Sequence, residues 1–111
     1  MKTPEQTVRY YLSLIPAQDF ENMPLHEMVR HESPYGEVLG RRVFTEACRS
    51  LVAGTREIVI KSCIAQGDTV AVEYEAIKDT GSRFELSEWF RIVDGKIVEI
   101  KAFFDGSRFN A

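Results

Sequence analysis

One carboxylic acid stands where the surrounding pattern calls for an apolar side chain. Phe84, Leu86, Glu88, Phe90 and Ile92 alternate with Arg83, Glu85, Ser87, Trp89 and Arg91, and side chains on a strand alternate between its two faces. Glu88 therefore belongs to the apolar face, since moving the register by one residue would bury Arg83, Glu85 and Arg91 instead. A carboxyl buried without a cation resists ionisation, by roughly 3 to 5 pKa units when burial is complete. In its neutral form it donates a hydrogen bond, the chemistry needed to hold a carbonyl or enolate oxygen. The competing role is structural, a core glutamate satisfied by Tyr11 or another buried group. Tyr11 supplies a phenol that either pairs with Glu88 or polarises a ligand oxygen, and buried tyrosines commonly do no more than satisfy their own hydroxyl.

His31 and Ser33 stand two apart and so share one face of a strand. His31 titrates near neutrality and is a candidate general base. Ser33 has no activating partner evident in the sequence, which favours a hydrogen-bonding role or the start of the Pro34 turn over a nucleophile. The stretch His26-Glu27-Met28-Val29-Arg30-His31 looks like a zinc-protease helix, but that motif needs histidines four apart on one helical face. No metal site is expected. Cys48 falls on an apolar helical stripe, where a free cysteine acts as a small hydrophobe.

The elements that must position these groups divide the chain in half. Thr3-Pro4-Glu5-Gln6 has the form of a capped helix start, and Val8, Tyr11, Leu12 and Ile15 give that helix one apolar stripe, with Pro16 helping to end it. Asp19 can cap a short second helix carrying Phe20 and Met23, which Pro24 interrupts. A third helix after Gly40 is expected to bury Val43, Phe44, Ala47, Cys48, Leu51 and Val52, and to stop at Gly54. A short strand over Val29 to Ser33 joins the sheet. From Arg56 the period becomes two, giving four strands joined by tight turns. Ile58, Ile60, Ser62 and Ile64 share a face of the first, Val70, Val72, Tyr74 and Ala76 of the second, and Val98, Ile100, Ala102 and Phe104 of the fourth. Helices followed by a meander make an α+β fold, with a curved antiparallel sheet packed on three helices.

The chain has 111 residues, 44% hydrophobic and 28% charged, values that describe one globular domain spanning 1–111. A net charge of −3, with no basic cluster interleaved with aromatics, argues against nucleic acid. No apolar run approaches the roughly 20 residues of a membrane span, and no signal region opens the chain. Cys48 and Cys63 lack the density of a disulfide scaffold, so a reduced, cytoplasmic setting is expected.

The order of elements, the stretch Glu32-Ser33-Pro34-Tyr35-Gly36, the Gly-led helix and a meander closing on Phe103-Phe104-Asp105 together resemble the superfamily named for nuclear transport factor 2. That superfamily includes SnoaL-like proteins and steroid delta-isomerases. The resemblance implies a cone-shaped fold around an apolar pocket. Glu32-Ser33-Pro34-Tyr35-Gly36 is similar to the stretch carrying the isomerases' base, with Ser33 in place of the basic aspartate. Glu88-Trp89-Phe90-Arg91 is similar to the stretch carrying their acidic oxyanion donor, and the first-helix tyrosine falls at Tyr11. In the steroid isomerases a protonated acid and a tyrosine together form an oxyanion hole. The resemblance thus implies Glu88, Tyr11 and His31 as catalytic residues, although His31 lies two strand residues, roughly 7 Å, from the base position. Ser33, Tyr35, Phe90 and Phe104 are expected to contact the ligand. That ligand is a small hydrophobic carbonyl-type molecule, handled without a cofactor by an isomerase, cyclase or dehydratase. Two alternatives stay open: a ligand-binding or dimerisation module without turnover, and an adaptor that presents its outer sheet to another polypeptide. Trp89 and Phe103 project from that outer face beside Arg91 and Lys101, a surface suited to a homodimer.

Overall fold

The computed structural model of the protein describes residues 2–107. Helix α1 (Pro4–Ala17) opens as its sequence requires: the Thr3 hydroxyl accepts from the Gln6 amide while the Gln6 side chain accepts from the Thr3 amide, so the cap is reciprocal. Pro16 is accommodated in the last turn, and Gln18 closes the helix in a left-handed conformation. The expected second helix is absent. The Asp19 carboxylate does accept from the Asn22 amide at 3.3 Å, but only a turn follows. Pro24 disfavours helical geometry at Met23, and a single turn is too short to propagate. Phe20 and Met23 are buried all the same.

Two strands, rather than one, follow. β1 (Leu25–Ser33) and β2 (Gly36–Leu39) form a hairpin whose turn uses Gly36 at a φ of 118°, a value side chains rarely tolerate. Because β1 is extended from residue 25, no helix carries His26 and His31, and the zinc-protease spacing has no helical face to act on. Helix α2 (Arg41–Leu51) buries Phe44 and Cys48, whereas Val43 points to solvent at 54% exposure. The meander comprises β3 (Thr55–Gln66), β4 (Thr69–Lys78), β5 (Arg83–Val93) and β6 (Lys96–Phe103).

The six strands make one sheet in the order β2-β1-β6-β5-β4-β3. It is not wholly antiparallel: β1 and β6 pair in parallel. The chain leaves β1 through a hairpin and α2, and returns to its other edge running the same way. Two register breaks also revise which side chains face inward. Between Ile60 and Ser62 the β3 strand carries an extra residue, after which Cys63 packs on the core and Ile64 is 67% exposed. A second break beside Arg91 and Ile92 places Ile97, rather than Val98, opposite Ile92. Such bulges bend a strand and increase its twist, which suits a curved, unclosed sheet. Helix α1 lies against β3 and β4, and α2 against β1 and β2. One apolar cluster packs between the helices and the sheet. Among the described residues no helix is long and apolar enough to cross a membrane.

Candidate functional site

Glu88 sits in the middle of the sheet, with Val72 of β4 on one side and Ala102 of β6 on the other. It is one of few buried polar residues among those described, at 6% exposure, and its cross-strand neighbours offer it no charge. Its partner lies on the diagonal. Tyr74 pairs with Leu86 in register, within reach of the residue two further along, and its hydroxyl donates to Glu88 Oε1 at 2.5 Å. Burial raises the Glu88 carboxyl to about 7, and the Tyr74 hydrogen bond opposes that rise because it favours the charged acceptor. Burial also carries the Tyr74 phenol well above its ordinary value, with the nearby Glu88 charge adding to the effect.

These two side chains open on a cavity of about 150 Å³ between the sheet and the helices. Its walls are largely apolar, formed by residues such as Ile15, Phe44, Leu51, Ile58 and Leu86. Tyr11 reaches it from α1, edge-on to Phe90 at 5.7 Å. Burial raises the Tyr11 phenol well above its usual range, and the neighbouring Cys48 and Glu88 raise it further. Burial likewise pushes the Cys48 thiol up to about 12, so it stays protonated and unreactive at neutral pH.

From β1, His31 stacks on Phe44 with ring centres 5.0 Å apart. Burial lowers its imidazole to about 4, so it enters the cavity neutral. Ser33 also lines the cavity, and its hydroxyl accepts from the Tyr35 amide at 3.1 Å, the local bond expected of a serine that starts a turn. Tyr35 and Phe104 meet edge to face at the rim, 5.5 Å apart. The Tyr35 hydroxyl donates to the Gly106 carbonyl at 2.7 Å, and a Cβ on Gly106 would come within 3.2 Å of the tyrosine ring. Lys78, also on the cavity wall, donates its ammonium protons to the carbonyl of Leu51, the last residue of α2, and to that of Ala53 just beyond it.

The fold thus brings Glu88, Tyr11, His31, Ser33, Tyr35 and Phe104 to one cavity. Phe90 is not among its lining residues: it lies one step further along β5, 1% exposed and packed beneath Tyr11. Tyr74 is the residue that sequence reasoning passed over. It was legible as an inward residue, but counting outward from the Asp79-Thr80-Gly81-Ser82 turn sets it opposite Ser87, one residue off the observed pairing with Leu86, so its diagonal to Glu88 shows only in the structure. Among the described residues no three His, Cys, Asp or Glu side chains gather to hold a metal ion.

A SnoaL-like domain family matches residues 8–100. No curated protein matches in sequence. Among solved structures, an NTF2-like protein of unknown function from Cytophaga hutchinsonii superposes with a TM-score of 0.85 at 16% identity, covering 100% of this chain and 97% of its own. A proposed ketosteroid isomerase from Kribbella flavida gives 0.80 at 19% identity, covering 92% and 77%. An epoxide hydrolase of the LEH-like type from M. tuberculosis gives 0.79 at 20% identity, covering 96% and 86%. At these identities the likeness is one of fold.

Proposed function

Because the chain belongs to the SnoaL-like domain family, whose superfold carries isomerases and hydrolases as well as plain binding modules, we propose that it takes a small hydrophobic carbonyl compound into its cavity and catalyses proton transfer on it. The observation that carries this reading is a buried carboxyl, raised to about 7, facing an otherwise apolar cavity. In its acid form Glu88 donates to the ligand oxygen together with Tyr11. Neutral His31 accepts a proton from the adjacent carbon, the electron pair moves onto the oxygen, and return of the proton elsewhere completes an isomerisation; cyclisation or dehydration would use the same groups. A cavity of about 150 Å³ matches one known to admit benzene, so the ligand is of single-ring size. Free cysteines suit a reducing compartment such as the cytoplasm.

Exchange of the α-protons of cyclohexanone in deuterated water, followed by proton NMR, tests the reading. Glu88→Gln should slow protein-dependent exchange by about 10²-fold, as loss of one oxyanion donor does, while ketone binding persists. Binding without exchange in the unaltered protein would leave the alternative, a binding module without turnover. A second reading, compatible with either, concerns the outer face. Trp89 and Phe103 are 51% and 56% exposed around a groove that also contains Arg91, Glu99 and Lys101. Charges of both signs on one patch let it pair with its own copy across a two-fold axis, which supports a homodimer.

A further inference from the structure

The cavity holds a carboxyl and a phenol locked together, and that pair presents different chemistry in its two protonation states. With Glu88 ionised, the Tyr74 proton is committed to Oε1 and the carboxylate can only accept. With Glu88 protonated, the same site has a second proton to offer. A ketone oxygen can only accept, whereas an alcohol can donate or accept.

We infer that Tyr74 and Glu88 act as one hydrogen-bond switch that sets the ligand class: carbonyl compounds bind the protonated pair, and hydroxyl compounds of the same size bind both forms. The inference rests on the proposed reading of the cavity and extends it to specificity, making Tyr74 a positioning residue that acts through Glu88. Geometry isolates the pair. The facing groups are Tyr11 from α1, Cys48 from α2, His31 from β1 and Lys78 further along β4, with uncharged Ala102 from β6. The two phenols and the thiol stay protonated between pH 5 and 9, and His31, lowered by burial to about 4, is neutral around the Glu88 midpoint. Lys78, its ammonium value lowered by burial, is four strand residues from Tyr74, about 13 Å along the backbone. Its charge acts alike on two neutral ligands and cancels from their ratio.

The test is the ratio of cyclohexanone to cyclohexanol affinity, measured by ligand-observed NMR titration from pH 5 to pH 9. The ratio should fall about tenfold, the worth of one buried hydrogen bond, with its midpoint near 7. Glu88→Gln, which cannot ionise, should make the ratio independent of pH. Tyr74→Phe removes the bond that favours the carboxylate and should move the midpoint upward, a change that carbon-detected NMR of the Glu88 carboxyl reads even without ligand. A ratio that is flat with pH in the unaltered protein overturns the inference while leaving the binding reading intact, as does an unmoved Glu88 midpoint in Tyr74→Phe. Failure of both compounds to bind at any pH overturns the two together.

Discussion

Glu88 and His31 share one cavity, and burial moves their protonation in opposite directions. Glu88 ionises near 7 in the fold against 4.5 as a free group. Its stabilising contribution is therefore full below about 4.5 and is lost as pH rises through 7, a change on the order of 3 kcal/mol. His31 ionises near 4 against 6.5, so its contribution is full above 6.5 and is lost as pH falls through 4. Between 4.5 and 6.5 the two slopes oppose each other. Urea midpoints of the unaltered protein should consequently vary little in that window on account of this pair, whereas Glu88→Gln should gain stability as pH rises and His31→Phe should lose it. Parallel profiles for all three proteins would mean that neither group titrates as described. At this scale the acid was legible, because a charged residue on an apolar strand face is conspicuous. Its partner was harder to identify, because one tyrosine among inward side chains signals nothing until the register of the next strand is known.

Strand and helix identity followed from local pattern wherever the period was long and uninterrupted, as in α1, α2 and β5. The failures share a cause: a tertiary or backbone detail one residue in size. Asp19 supplied a cap, yet Pro24 left no room for a helix to grow from it. The extra residue in β3 reversed the faces beyond Ile60, so Ile64, on the expected inner row, reached solvent and Cys63 took its place. That assignment carries a direct consequence. Ile64→Thr should change stability by less than about 0.5 kcal/mol, as exposed substitutions do. Ile60→Ala, before the bulge and packed on the core, should cost about 2 kcal/mol or more. Chemical denaturation of both variants checks the bulge; equal losses would mean the face assignment is wrong.

For the molecule as a whole, an α+β fold with a curved sheet could be read from helices preceding a meander, while the pairing of its two halves could not, since no local signal says which edge β1 meets. The outer face makes a separate prediction. Introducing Trp89→Lys with Phe103→Lys should shift the protein from dimer to monomer in sedimentation velocity, with its thermal midpoint changed by no more than loss of the interface explains. A protein already monomeric at micromolar concentration would remove the homodimer reading. The parallel pairing of β1 with β6 also bears on how the chain folds during synthesis. The β1–β2 hairpin emerges from the ribosome early, but the strand that covers its inner edge is the last of the six to appear. Two strands alone are marginal in water, so the hairpin and its share of the cavity wall must wait until the meander is made. Contacts this distant in sequence slow folding, and the nascent chain meanwhile carries an open strand edge, the surface that chaperones and aggregating neighbours compete for.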